Sequence, residues 1–149
     1  MDIKSILYPT DFSEGSLQAL QFATELVKRF NAKLFVVHVV QEMRYTGGFF
    51  VPHTSMDVLY KEVTEAAEKE LDKYGIEELR EFKDLVERRV IRGVPHEEII
   101  NFAKENKVDL IIIGAHGKKG MEKIFFGNTS AHVVRHAPCS VLTGRISTY

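Results

Sequence analysis

The chain has 149 residues, 20 basic and 21 acidic side chains and a formal net charge of −1, with 44% apolar residues. This length and composition fit one soluble domain with a sizeable core, and a charge near zero argues against a dedicated nucleic-acid binder, whose affinity needs a basic face. The apolar run Leu110 to Ala115 is far short of a membrane span, Met1 to Tyr8 is too short and too mixed for a secretory signal, and a single cysteine, Cys139, excludes an intramolecular disulfide, so a cytoplasmic protein is expected.

In chain order, Ile3 to Tyr8 is a β-rich run closed by Pro9. Ser13 suits an N-cap, and Leu17, Leu20, Ala23, Val27 and Phe30 form the apolar face of a first helix that stops at Asn31. Lys33 to Val40 contains LFVVHVV, a nearly continuous apolar strand of the kind buried on both faces in parallel sheets. Gln41 to Thr54, with Gly47, Gly48 and Pro52, has no period and reads as a loop. A second helix is predicted from Met56 to Tyr74, with Leu59, Val63, Ala66, Ala67 and Leu71 on one side, ended by Gly75. Ile76 to Phe82 suits one or two further helical turns.

Leu85 to Arg92 alternates apolar and charged residues, as an exposed edge strand does. Pro95, then Glu97 and Glu98, then Lys104 and Lys107 mark the start and end of a third main helix. A short buried strand, Leu110 to Ile113, runs into a glycine-bearing loop. A helix from about Thr129 to His136 and a last strand, Ser140 to Thr143, complete the chain. Strands and helices alternate throughout. That order implies an open parallel sheet with right-handed crossovers and helices on both faces, a Rossmann-like α/β fold.

The most informative segment is DLIIIGAHGKKGMEKIFFGNTS, from Asp109 to Ser130. Gly114, Gly117 and Gly127 follow the spacing G-x2-G-x9-G between a buried strand and a helix start. Glycine after a parallel strand lets a ligand reach the backbone, and a helix start offers free N–H groups and a positive dipole end, which suits phosphate. Lys118, Lys119 and Lys123 add positive charge to the same loop, although solvation alone accounts for each of them. The segment matches neither a P-loop nor a dinucleotide fingerprint, so the usual lysine-and-hydroxyl handling of phosphate and Mg²⁺ is missing.

On these residues the chain resembles the universal stress protein family, in particular its ATP-binding branch. The loop stands here as GAHGKKGMEKIFFGN. The segments ILYPTDFSE, VVHVV, GVPHEEII, VDLIIIGAHG and HAPCSVL match the family in order, across essentially residues 1–149. The resemblance implies strand order 3-2-1-4-5 and a crevice for ATP, ADP or AMP, with Mg²⁺ whose ligands the sequence does not identify. It implies nucleotide contacts from Pro9, Thr10, Asp11 and Val39 on one side. On the other they come from Gly114, Ala115, His116, Gly117, Lys118, Gly120, Gly127, Asn128, Thr129 and Ser130. Asp11 takes the base or ribose role, and the backbone at Val39 meets the adenine edge. The family's small hydroxyl residue after the last glycine is Asn128 here, which can still donate through its amide or cap the helix.

The other candidate groups carry less. His132 and His136 share a helix face, but no Glu-x-x-His or cysteine completes a zinc site. His38 reads as a strand residue with a backbone partner, His116 as a phosphate or ribose contact or a loop packing residue, and His53 and His96 have no convincing partners. Cys139 reads as a buried inert thiol. No general base, arginine finger or Walker residue is apparent, so no catalytic residue is assigned. The expectation is a nucleotide-binding stress sensor or switch with at most slow ATP hydrolysis. It is dimeric through Ser140 to Thr143, with no nucleic-acid or membrane partner and a downstream protein partner the sequence does not name. A true ATPase or phosphotransferase using Asp11 or His116, and an interaction module without nucleotide, are the alternatives.

Overall fold

A computed structural model describes residues 1–42, 53–115 and 128–145. Five strands, β1 (Ser5–Pro9), β2 (Lys33–Gln41), β3 (Val86–Gly93), β4 (Leu110–Gly114) and β5 (Ser140–Gly144), form one sheet in the order β3-β2-β1-β4-β5. Every pairing is parallel, and Ile6 stands between Leu34 and Leu110 at its centre. The helices are α1 (Glu14–Phe30), α2 (His53–Lys73), the single turn α3 (Ile76–Leu79), α4 (Pro95–Glu105) and α5 (Asn128–His136), with a 3₁₀ segment at Arg80–Leu85. Strand alternation divides the core in two. Ile6, Tyr8, Leu34, Val36 and Ile112 pack under α1, α2 and α3 through Leu20, Val27, Leu71 and Leu79. Leu7, Phe35, Val37, Ile111 and Ile113 pack under α4 and α5 through Ile99, Ile100, Ala103 and Val133.

Local signals explain most of the boundaries. The Ser13 hydroxyl accepts the Ser16 amide at 3.2 Å, capping α1, and Asn31 closes it in the left-handed conformation that Asn tolerates. Gly75 takes φ +63° between α2 and α3, and a Cβ there would stand 2.9 Å from Leu20 Cδ2. Pro95 opens α4 with Glu97 and Glu98 in its first turn.

The face of α2 differs from the sequence expectation. Leu59 and Val63 are exposed, at 47% and 43%, while Ala67 and Leu71 are buried. The inward stripe runs Tyr60, Thr64, Ala67, Leu71 and Tyr74, all at least half-buried. Its amphipathic members disguise it, because Tyr and Thr carry polar tips that a simple apolar pattern passes over. Tyr60 is covered by the Arg92 guanidinium, 3.9 Å from its ring centre, and Arg88 donates to the Leu71 and Tyr74 carbonyls at the end of α2. Similarly on α1, Leu17 is 42% exposed and Ser16, Ala19 and Leu20 face inward.

The small inward residues of α1 meet two glycines. Gly114 and Gly144 are register partners on β4 and β5. A Cβ on Gly114 would lie 2.8 Å from the Gly15 carbonyl oxygen, and one on Gly144 would lie 2.6 Å from Ala19 Cβ. Distances this short require something to move, and on both glycines the neighbours include helix backbone. Gly144→Ala is therefore expected to destabilise the protein by about 1–3 kcal/mol through overpacking, read as a lower denaturant midpoint with an unchanged slope.

At the amino edge of the sheet, the Asp109 carboxylate accepts the Lys4 and Ser5 amides at 2.8 and 2.9 Å and ties β4 to β1. The Lys4 amide, followed by the Ser5 groups and the Lys4 charge, holds the Asp109 carboxyl below the usual carboxylate range despite some desolvation. A folded-state pKa below the unfolded value stabilises above the unfolded pKa, and that contribution is lost as pH falls through the folded pKa. Asp109→Asn should thus be less stable than the parent at pH 7, and the difference should shrink as pH drops below about 4, which thermal melts across that range would show.

Candidate functional site

The sheet reverses its order at β1. The chain leaves β1 toward β2 on one side, and β4 lies on the other. In open α/β sheets the carboxyl ends flanking such a reversal leave a crevice. The turn after β1, residues 10–13, and the end of β4, Gly114 and Ala115, are therefore brought to the same edge. Because β4 and β5 are parallel, α5 must carry the chain back toward the amino edge. Its N-terminus, at Asn128, therefore starts at the carboxyl edge, where the first turn of a helix has N–H groups without intrahelical acceptors.

The β1 turn is tightly built. Pro9 is the last residue of β1 and is buried. Thr10 is 5% exposed, and its amide donates to the Val37 carbonyl at 2.8 Å, which extends the β1–β2 pairing past Pro9. The Thr10 hydroxyl accepts the Phe12 amide at 3.0 Å and lies 2.7 Å from the Ser16 hydroxyl. The Thr10 carbonyl is held by His38 Nδ1 at 2.8 Å. Asp11 is half-buried, and its Oδ1 accepts the Ser13 amide at 3.0 Å. That is an Asx turn, the local bond that lets aspartate begin a tight bend. Phe12 takes φ +63°, an uncommon conformation for a bulky side chain. Its ring stacks on His38 at 4.3 Å between centres and meets Tyr74 edge-on at 5.6 Å.

Beneath this turn lies a chain of hydroxyls. Tyr8 donates to the Ser16 carbonyl, and its oxygen is 2.8 Å from that of Tyr74, which is 3.1 Å from the Ser16 hydroxyl. Burial, reinforced by Tyr74, pushes the Tyr8 hydroxyl far above its ordinary value, so it remains a donor at any physiological pH. The polar groups of this inner layer are thereby satisfied at the top of the core.

Of the residues expected at the site, Pro9, Thr10, Asp11, Val39, Gly114, Ala115, Asn128, Thr129 and Ser130 are described. Val39 is half-buried near the carboxyl end of β2, opposite Ile91 of β3. Ala115 is buried, and its amide donates to the Gly144 carbonyl at 3.1 Å. Ser130 is buried in the first turn of α5, with Thr129 half-buried beside it. His116, Gly117, Lys118, Gly120 and Gly127 lie outside the described residues, as do Lys119 and Lys123. The close approach at Gly114 is made by the backbone of α1 rather than left open for a ligand, so Gly114 has a packing reason to lack a Cβ.

Several contacts were not visible in the sequence. Phe12, Ser16 and Tyr74 all buttress the β1 turn. Phe12 and Tyr74 are 62 positions apart, and only the return of α2 brings them together. His96, which has no partner in sequence terms, stacks on His132 at 4.4 Å, with His136 6.3 Å from His132. Among the described residues no group of three or more His, Cys, Asp or Glu side chains is arranged to hold a metal ion. Cys139 is half-buried, with its thiol pushed up by desolvation and then by Asp109, the state of an unreactive side chain. No described helix is long and apolar enough to cross a membrane.

Comparison with known proteins extends these observations. Universal stress protein MJ0531 of Methanocaldococcus jannaschii is 33% identical over 146 residues, covering 93% of this chain and 80% of the relative. The structure of universal stress protein UspA from Lactobacillus plantarum superposes with a TM-score of 0.81 at 25% identity, covering 97% of this chain and 99% of the other. The universal stress protein from Archaeoglobus fulgidus in complex with dAMP shares the fold, with a TM-score of 0.60 at 21% identity, covering 97% of this chain and all of the other. Residues 2–145 match the universal stress protein family as a whole, and the chain belongs to that family.

Proposed function

We propose that this protein binds ATP, or ADP or AMP, in the crevice at the carboxyl edge between β1 and β4. In this reading it acts as a nucleotide-dependent stress sensor or switch in the cytoplasm, within a single domain spanning residues 1–149. The observation that carries the reading is the meeting of two unlike walls at the order reversal. One is a rigid turn bearing the Asp11 carboxylate. The other is the Gly114–Ala115 strand end, whose chain continues to the N-terminus of α5. A carboxylate suits hydroxyls and exocyclic amines of a nucleoside, and a helix start suits phosphate. Further support comes from the A. fulgidus relative with the same fold, whose bound ligand is an adenine nucleotide.

Within this reading Pro9, Thr10 and Asp11 line the nucleoside wall, and the Val39 backbone meets the adenine edge. Gly114, Ala115, His116, Gly117, Lys118, Gly120, Gly127, Asn128, Thr129 and Ser130 form the phosphate wall. Gly114 contributes backbone only, since α1 occupies the space beside its Cα. A Mg²⁺ ion brought with the nucleotide would supply charge neutralisation at the phosphates. The nearest candidate base is Asp11, whose Oδ1 is engaged with the Ser13 amide. Phosphoryl transfer depends on positioning and neutralised charge, so hydrolysis is slow at most. Two copies associate through β5, a short edge whose Val141 and Leu142 are only half-buried in the monomer.

The test is calorimetric titration of the purified protein with ATP, ADP and AMP in the presence of Mg²⁺, together with mass spectrometry of any nucleotide carried through purification. Binding of at least one adenine nucleotide is expected, and absence of both signals would defeat the proposal in favour of a module without nucleotide. Single-turnover assays with labelled ATP should show hydrolysis little above the protein-free rate. Gly117→Val should weaken ATP binding at least tenfold, about 1.4 kcal/mol, with an unchanged circular dichroism spectrum. Equal affinity would show that the phosphates lie elsewhere.

A further inference from the structure

We infer that His38 is a positioning residue for the turn formed by Thr10 to Ser13, acting through the Thr10 carbonyl and the Phe12 ring. The inference deepens the nucleotide reading, on which its functional consequence rests, but its geometry is independent of any ligand.

The Thr10 carbonyl oxygen can only accept a hydrogen bond, so the 2.8 Å contact requires the proton of His38 to sit on Nδ1. That bond fixes the peptide plane between Thr10 and Asp11. The next residue, Phe12, holds φ +63°, a conformation that bulky residues keep only where the surroundings impose it. The surroundings here are the stacked imidazole 4.3 Å away and the edge of Tyr74 at 5.6 Å. The same His38 ring therefore grips the turn twice, by its nitrogen at Thr10 and by its face at Phe12. Asp11 lies between these two grips. Its carboxylate orientation follows from them, with the Asx bond to the Ser13 amide and the Phe12 amide bond to the Thr10 hydroxyl closing the turn.

A merely space-filling histidine on β2 would be replaceable by leucine. A positioning histidine would not, and asparagine, whose side-chain N–H can stand near the place of Nδ1, should recover part of the function without the stack. Three measurements decide between these. In the wild type, two-bond nitrogen–proton correlation spectra should show His38 protonated at Nδ1. In nucleotide-free protein, the amides of Phe12 and Ser13 should exchange with solvent at least tenfold faster in His38→Leu than in wild type, with His38→Asn intermediate. ATP affinity should follow the same order, with at least a tenfold loss in His38→Leu.

An unprotonated Nδ1 at neutral pH would overturn the inference, even if His38→Leu failed to fold. A folded His38→Leu protein with wild-type exchange at Phe12 and Ser13 would overturn it too. A wild type that binds no adenine nucleotide would defeat the nucleotide reading alone, because the tautomer and the exchange rates still decide whether His38 sets the turn.

Discussion

The close seating of α1 on the glycine pair Gly114 and Gly144 is the constraint from which the rest of the site follows. Without a Cβ on either glycine, helix backbone comes within van der Waals reach of β4 and β5. The first turn of α1 is then pinned over the end of β4. That same turn is capped by Ser13, two residues after Asp11, so the two walls of the crevice are fixed to each other through helix backbone and not through long side chains. Backbone contacts of this kind leave little freedom to drift. The ends of two non-consecutive strands thus keep one spacing.

The hydroxyl chain of Tyr8, Ser16, Tyr74 and Thr10 does the complementary task from below. The carboxyl edge of a parallel sheet ends in backbone groups that need partners, and the top of a core is a costly place to leave them unpaired. Here each hydroxyl serves the next, and the chain ends on Thr10, inside the turn that bears Asp11. Tyr74 directly follows α2, and Arg88 from β3 donates to its carbonyl and to that of Leu71 in the last turn of α2. The turn that bears Asp11 is therefore supported from the far edge of the sheet as well as from β1.

Much of this architecture was legible in the sequence. Continuous apolar strands, Ser13, Asn31, Gly75 and Pro95 announced the alternating elements. Parallel order followed from the alternation together with the family resemblance. The position of Asp11 at a strand end was equally plain. What escaped had specific causes. The stripe of α2 was misplaced because Tyr60, Thr64 and the following Tyr74 count as polar or ambivalent in a pattern search, although all three are partly buried. The packing role of Gly114 was hidden because a missing Cβ reads the same whether a ligand or a helix takes the space. The His38–Phe12 and His96–His132 stacks join distant segments, and a single sequence carries no signal for such pairs.

The two edges of the sheet are unlike. β3 displays Arg89 and Arg92, paired with Glu87 and Glu42 at 2.7 and 2.5 Å, along an eight-residue strand. β5 is five residues long, with Val141 and Leu142 at its middle and little charge. A sheet extended through two similar edges could grow without limit, copy upon copy. With one edge guarded by ion pairs and the other bare, copies pairing at β5 as proposed would stop after a single addition related by a two-fold axis. Under the proposed pairing, the unequal edges would act as a chain terminator built into the protomer, allowing a closed pair and not a fibre.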